Sequence, residues 1–120
     1  MDGIGIGIDI EKICRFKNKT LEKDIHFLKS IFTDAELDYS FSDNHYAQHL
    51  CARFCAKEAT LKALFSLGLN NIPLKDIEIL NNEEGVPQLK IKKHKEIKAK
   101  VSLSHTTDNA VAFVLIETIQ

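Results

Sequence analysis

The chain has 120 residues, a length typical of one domain, and 44% of them are hydrophobic, enough for one modest core. Its 16 basic and 17 acidic residues leave a formal net charge of -1, which excludes the strongly basic balance of a dedicated nucleic-acid-binding protein. No apolar run approaches the roughly 20 residues that span a bilayer, and the N-terminus lacks a signal-peptide pattern. We therefore expect a single domain over residues 1–120 that is cytoplasmic and binds neither membrane nor nucleic acid.

An alternating tract of glycine and isoleucine predicts the first strand. Residues 3–10 read GIGIGIDI, which places four isoleucines on one face and three glycines with Asp9 on the other. Because glycine weakens a strand interior by about 0.5–1 kcal/mol relative to alanine, three of them indicate a close neighbour on the bare face. That neighbour is either the long helix of the same chain, which we expect, or a bound substrate. Asp9 is then either the N-cap of the segment beginning at Glu11 or a functional carboxylate.

Helical patterns follow the strand. Residues 11–16 predict a short basic helix from which Lys12 and Arg15 project. Thr33 and Glu36 have the spacing of a capping box and predict the start of another helix.

The longest helix is predicted from a start at residues 42–44 to about Leu67, with Gly68 suited to the left-handed C-cap position. One narrow arc of this helix carries four large apolar residues, and Glu58 lies inside the same arc. The arc consists of Leu50, Phe54, Leu61 and Phe65, with Cys51 at its border. We therefore expect the helix to be buried along this arc.

Glu58 then requires a partner, since an unpaired buried charge costs several kcal/mol. It either pairs with Lys62 at i+4 or another base, or converges with Asp9 on a hard cation such as Mg²⁺. Arg53 and Lys57 lie on the same helix as Lys62, and such cations are suited to a polyphosphate substrate. Two carboxylates beside three cations indicate phosphate chemistry.

Beyond residue 73 the pattern changes to strands. Four are expected, at residues 77–80, 88–91, 101–105 and 110–116, joined in pairs by turns at 81–85 and 107–109. Residues 92–100 carry five lysines and are predicted to be a solvated connection. The expected architecture is α+β, with an antiparallel sheet that includes the first strand packed on the long helix.

Other candidate sites carry weaker signals. His45 and His49 are four residues apart, but the zinc motif H-E-x-x-H would need a glutamate between them. The three cysteines lack the C-x-x-C spacing of zinc sites and are expected to be small buried hydrophobes; they are Cys14, Cys51 and Cys55. Ser104 and His105 are adjacent on a strand and would point to opposite faces, which argues against a nucleophilic pair.

Two of these segments together resemble the signature of the phosphopantetheinyl transferases. Residues 7–9, GID, match its G-x-D element, and residues 54–62, FCAKEATLK, match the later W/F-x-x-K-E-A/S-x-x-K at every fixed position. The chain length, residues 32–37 (FTDAEL) and residues 104–106 (SHT) resemble the short bacterial branch, the holo-acyl-carrier-protein synthases. The loop SLGLN at 66–70 keeps only one glycine of the branch's Gly-Thr-Gly-like sequence.

The resemblance implies transfer of 4'-phosphopantetheine from coenzyme A to a serine of acyl carrier protein, in support of fatty acid synthesis. Adenosine 3',5'-bisphosphate is released, Mg²⁺ bridges the pyrophosphate, and a homotrimer places active sites at subunit boundaries. Asp9 and Glu58 would be the metal ligands and, with Lys62, the catalytic residues. Lys12 and Arg15 would bind the acidic helix of the carrier protein. The implied coenzyme A contacts are Arg53, Phe54, Lys57, Lys62, His105 and Thr106.

The residues leave two other functions open. The same carboxylates and lysines could serve a small metal-dependent phosphohydrolase or nuclease, which would release phosphate without a carrier acceptor. Alternatively, the chain is a non-enzymatic oligomerising module in which the glycines permit close packing and Glu58 pairs with a lysine. For the transferase, the proton acceptor is Glu58, a metal-bound water or a carboxylate of the carrier.

Overall fold

The computed structural model describes residues 3–118. Five strands and three α-helices follow one another along the chain, with two short 3-10 turns at Ile13–Phe16 and Leu74–Asp76. The elements are β1 (Gly3–Lys12), α1 (Leu21–Ile31), α2 (Asp34–Ser40), α3 (Tyr46–Ser66), β2 (Ile77–Asn81), β3 (Pro87–Ile91), β4 (Ile97–His105) and β5 (Asn109–Thr118). None of the described helices is both long and apolar enough to cross a membrane.

Two antiparallel sheets confirm the predicted α+β architecture. The larger has the order β1-β5-β4, and the smaller is the β2–β3 hairpin. Both predicted strand pairs form, but β4 begins at Ile97, inside the segment predicted to be a connection. The pattern explains this error, because Lys98 and Lys100 are exposed on the outer face of β4 while Ala99 and Val101 are partly buried on the other.

The glycine face of β1 packs against the backbone of α3, as expected. A Cβ atom added to Gly7 would lie 1.8 Å from the Ala59 carbonyl oxygen, and one added to Gly5 would lie 2.4 Å from that of Ala63. The helix itself therefore occupies the space that the glycines leave. The four isoleucines of β1 form the opposite face of the strand, and each is at least 60% exposed.

The side of α3 that packs on β1 is made of small residues, and the burial predicted for the arc of large residues is confirmed for Leu50 and Phe54 but wrong for Phe65. Cys51, Cys55, Ala59 and Ala63 are fully buried, whereas Phe65 is 71% exposed. A helix whose backbone lies this close to a glycine strand leaves room only for small side chains at the contact. The large apolar residues Leu50 and Phe54 pack in a second core with Phe16 of the first 3-10 turn and Phe32, the residue after α1.

The cysteines fall into two groups. Burial raises the pKa of the Cys51 thiol to about 11 and that of Cys55 to about 12. Cys14 was expected to be buried and is exposed, because the residue belongs to a 3-10 turn whose buried side is formed by Ile13 and Phe16.

Local signals located two element ends well and two poorly. The Thr33–Glu36 capping box is present, and Gly68 has the predicted positive φ of 81°. The helix predicted at residues 11–16 is wrong, because the backbone ladder with β5 extends β1 to Lys12 and leaves only a 3-10 turn. Helix α3 begins after His45, since the carboxylate of Asp43 accepts from the backbone N–H of His45 (2.8 Å) in a separate turn.

Candidate active site

Asp9 lies at the end of the glycine face, where β1 passes along α3. Its Oδ1 atom is 3.2 Å from Nζ of Lys62, which also donates to the Ile8 carbonyl (2.9 Å). Its Oδ2 atom is buried and has no hydrogen-bond partner among residues 3–118. The Asp9 side chain is only 12% exposed. A buried carboxylate oxygen without a partner requires an explanation, and a cation or a substrate group is the chemical species that would satisfy it.

Glu58 lies on the same edge of α3. Cys55 donates its thiol hydrogen to the Asp9 carbonyl oxygen (3.0 Å), and residues three and four apart on a helix are neighbours. Because Glu58 and Lys62 are one turn apart, Glu58 lies on the same flank of α3 as Lys62, which binds Asp9. The ion pair considered between Glu58 and Lys62 does not form, because Lys62 binds Asp9, and Glu58 has no ion-pair partner in the described part of the chain.

Glu11 is a third carboxylate beside this site that the sequence analysis missed. It follows Asp9 by two residues and shares its face of β1, and its carboxylate binds Arg15 at 2.7 Å. Burial raises the pKa of Glu11, and the Asp9 carboxylate raises it further, while Arg15 lowers it. The strand alternation would have located Glu11 if β1 had been extended beyond residue 10.

A second group of polar residues lines a cavity of about 500 Å³ between α3, β4 and the β2–β3 turn. His105 is exposed, and its Nε2 atom lies 3.0 Å from Nε2 of Gln48. Arg53 is 97% buried, stacks 4.2 Å over the ring of Tyr39 and donates through Nε to the Ile79 carbonyl (3.1 Å). Burial lowers the pKa of Arg53, and its Nη2 atom is buried without a described partner.

Two other predicted coenzyme A contacts, Thr106 and Phe54, already have partners within the protomer. Thr106 lies beside His105, but its hydroxyl accepts from the backbone N–H groups of Asp108 (3.2 Å) and Asn109 (3.1 Å) in the β4–β5 turn. Phe54 is only 7% exposed and packs against Phe16, so it is a core residue of the protomer, and its contact with coenzyme A stays a prediction.

Lys57, also predicted as a phosphate contact, lies in the interior of the protomer. Its side chain is fully buried, and Nζ lies 2.8 Å from Oε1 of Glu36 and donates to the carbonyls of Leu74 (3.0 Å) and Ile77. Burial lowers the pKa of Lys57, while Glu36 opposes this effect. Because successive helix residues differ by about 100°, the Lys57 side chain leaves α3 toward α2 and β2, away from the side where Glu58 lies.

The two groups lie on opposite flanks of α3. Arg53 and Glu58 are five residues apart, which corresponds to about 140° around a helix. In the sheet, Glu11 pairs with Ala110 on β5, and Ala110 pairs with His105 on β4. Ala110 is fully buried in that row, so α3 covers the space between the two groups. One protomer therefore presents two separate half-sites, which we call the Asp9 half-site (Asp9, Glu58, Lys62) and the His105 half-site (Arg53, His105, Gln48).

The candidate carrier contacts lie near the Asp9 half-site. Lys12 is exposed and lines a cavity of about 370 Å³ together with Lys17. Arg15 is 55% exposed and lies over the ring of Phe54 at 4.8 Å while it binds Glu11. Lys12 lies on the face of β1 opposite Asp9, whereas Arg15 binds Glu11, which shares the face of Asp9.

Metal ligation by the histidines is not supported. His49 binds the carboxylate of Asp43 at 3.1 Å. Within residues 3–118, no group of three or more His, Cys, Asp or Glu side chains could hold a metal ion.

Comparison with known proteins identifies the family. The profile of the 4'-phosphopantetheinyl transferase superfamily matches residues 5–114. The chain belongs to this superfamily. Holo-[acyl-carrier-protein] synthases of Clostridium tetani and Thermodesulfovibrio yellowstonii are 40% and 41% identical to it, over 95% and 93% of this chain and 95% and 96% of theirs. The crystal structure of a holo-(acyl-carrier-protein) synthase from Bacillus anthracis, in complex with CoA (3',5'-ADP), is similar with a TM-score of 0.77, 30% identity and 96% coverage of both chains.

Proposed function

We propose that this superfamily member transfers 4'-phosphopantetheine from coenzyme A to a serine of apo acyl carrier protein, in support of fatty acid synthesis. The observation that carries the proposal is the buried, unpartnered Oδ2 of Asp9 within a half-site that also contains Glu58 and Lys62. The named relatives are synthases of this kind at about 40% identity over almost the whole chain. The proposal places the enzyme in the cytoplasm, where carrier proteins of this pathway are loaded.

The Asp9 half-site fits Mg²⁺. Magnesium uses one or two protein carboxylates and completes its shell with water and substrate phosphates, so two carboxylates are sufficient. Asp9 and Glu58 would hold the ion, and Oδ2 of Asp9 would gain the partner that it lacks. When bound, the ion neutralises charge on the pyrophosphate and polarises the phosphoryl group.

Lys62 supplies the positive charge of this half-site. Its ammonium group is 56% exposed and is held in place by Asp9 and the Ile8 carbonyl. From this position it can donate to a phosphate oxygen and stabilise the negative charge that develops as adenosine 3',5'-bisphosphate leaves. The exposed His105 of the other half-site binds the coenzyme A phosphates, and the buried guanidinium of Arg53 adds positive charge beneath it.

A homotrimer would bring the two half-sites together. Helix α3 separates them within one protomer, so a coenzyme A molecule that contacts both sets requires the Asp9 half-site of one copy and the His105 half-site of the next. The exposed isoleucine face of β1 supports association, because it continues onto Phe113 and Leu115 of β5, which are 42% and 36% exposed. Contiguous apolar patches of this kind mark interaction sites.

Lys12 and Arg15 dock the acidic carrier protein next to the Asp9 half-site. Their charges act across a solvated surface, so binding of the carrier should weaken as ionic strength rises. Arg15 can exchange its contact with Glu11 for a carrier carboxylate.

The test follows the mass of apo acyl carrier protein after incubation with the chain, coenzyme A and Mg²⁺. We expect the increment of one phosphopantetheine, with stoichiometric adenosine 3',5'-bisphosphate. Glu58→Gln should abolish transfer and leave the fold intact, whereas the matched control Glu96→Gln, an exposed residue near the start of β4, should retain full activity. Phosphate release without a modified carrier would support the phosphohydrolase instead, and no increment with a panel of carriers would refute the proposal.

A further inference from the structure

Another cavity lies apart from both half-sites. It has a volume of about 570 Å³ and is formed by the β2–β3 hairpin, the connection from β3 to β4, and Thr33 at the start of α2. The backbone N–H of Lys92 donates to the Asp76 carbonyl (2.8 Å) and that of Ile97 donates to the His94 carbonyl (3.1 Å). These bonds hold the connection in place beside the cavity, so its wall is an ordered part of the fold.

The rim of this cavity is strongly basic. Five lysines and one histidine line it, and none of the five lysines forms an ion pair with another residue in the range 3–118. They are Lys75, Lys90, Lys92, Lys93, Lys95 and His94. Three carboxylates oppose them. Asp76 and Glu78 line the cavity, and Glu96 lies 3.4 Å from Nδ1 of His94, while the carboxylate of Glu78 accepts a hydrogen bond from Thr33 (2.6 Å). The rim therefore attracts anions.

The floor of the cavity is apolar. Leu89, Ile91 and Ile97 contribute to its lining and are continuous with the core beneath the β2–β3 hairpin. Small-molecule sites typically have volumes of about 300–1,000 Å³, apolar walls and a few polar groups that orient the ligand. A concave apolar floor under a cationic rim is complementary to an amphiphilic anion. An acidic protein surface would pair with the lysines but would leave the apolar floor of the cavity empty.

We propose that this cavity binds a small amphiphilic anion, with a carboxylate or phosphate head at the lysines and an aliphatic chain on Leu89, Ile91 and Ile97. The site is separate from the proposed catalytic residues. On β5, Ile97 pairs with Thr118 and Asp9 pairs with Ala112. These two positions are six residues apart, which corresponds to about 20 Å along the sheet. The proposal therefore does not depend on the proposed transferase activity.

Calorimetric titration tests the chemistry of the ligand. The probes are decanoate and decyl phosphate below their micelle concentrations, with butyrate, inorganic phosphate and decyltrimethylammonium as controls. We expect the two decyl anions to bind, the short or headgroup-only anions to bind at least about tenfold more weakly because the apolar floor stays empty, and the cation not to bind. Preference for decyl phosphate over decanoate, or the reverse, identifies the head group.

Charge-reversal variants locate the site. Lys92→Glu/Lys95→Glu should weaken binding of decanoate by about tenfold or more, since each lysine offers a charge-assisted contact. The matched control Lys17→Glu/Lys23→Glu has the same change in net charge, at two exposed lysines that do not line the cavity, and should bind decanoate almost as the unmodified chain does. Changes in amide NMR chemical shifts on addition of decanoate to the unmodified protein provide a second measurement. We expect these changes at residues 89–97.

Three results would overturn the proposal. Equal binding of butyrate and decanoate would mean that the floor contributes nothing. Equal loss in the two charge-reversed variants would mean that only net charge matters. Shifts confined to the isoleucines of β1 would mean that the probe binds the exposed sheet face instead.

Discussion

The buried ion pair of Lys57 and Glu36 leads to a testable prediction. Removing the lysine charge distinguishes a structural role from a substrate-binding role for Lys57, a lysine of the family signature. Both side chains are fully buried. Oε1 of Glu36 also accepts from the backbone N–H of Thr33 (2.9 Å), and Oε2 accepts from that of Ile79 (2.8 Å). The pair therefore connects α3, the start of α2 and β2. Lys57→Met keeps most of the side-chain volume and leaves the Glu36 carboxylate buried without its cation.

Removing one partner of a buried ion pair typically costs about 3–5 kcal/mol, and domains are stable by only about 5–15 kcal/mol. We expect Lys57→Met to lower the free energy of unfolding by about that amount in urea denaturation followed by far-UV circular dichroism. The double variant Lys57→Met/Glu36→Gln should recover part of the loss, because no buried charge is left uncompensated.

Lys62→Met is the matched control on the same helix. Its ammonium group is 56% exposed but Asp9 is only 12% exposed, so the loss of stability should lie between the about 1 kcal/mol of a surface pair and the about 3–5 kcal/mol of a fully buried one, while transfer to the carrier falls sharply. A Lys57→Met variant that unfolds within about 1 kcal/mol of the unmodified chain but has lost transfer would refute this reasoning. Such a result would mean that Lys57 leaves its buried position to bind phosphate.

Three further predictions address other parts of the fold. Gly7→Ala should destabilise the protein by about 3 kcal/mol or more in the same urea assay, because the new Cβ would meet helix backbone that cannot move aside. Only Cys14 should react rapidly with a thiol reagent at pH 8, since the raised pKa values of Cys51 (about 11) and Cys55 (about 12) keep both protonated. Their contribution to stability is present below pH 9 and declines as the pH rises toward 11; three fast thiols in native protein would contradict the structure. Ile8→Asp should shift sedimentation to the monomer and abolish transfer, and an active monomer would disprove the shared site.

Local patterns were sufficient for most element positions. The alternation over residues 3–10 predicted β1, the spacing of Thr33 and Glu36 predicted a capping box, and a glycine predicted the end of α3; all three are present. These features depend on backbone geometry and on neighbours a few residues away, so a single sequence contains them. The signature at residues 54–62 likewise identified the family without any structure. The same local rules extended a helix into residues 11 and 12, where pairing with β5 decided otherwise.

The sequence by itself thus determined the family, the α+β class and the position of Asp9 on the glycine face. Only the tertiary structure decided which face of each element is buried. Periodicity shows which residues share a face but not what packs against it, so Glu58 was expected inside the core of α3 and Lys57 at the substrate. The structure instead leaves Glu58 partly exposed, because the glycine strand admits only small residues of α3, and buries Lys57, because Glu36, 21 positions earlier in the chain, supplies its partner.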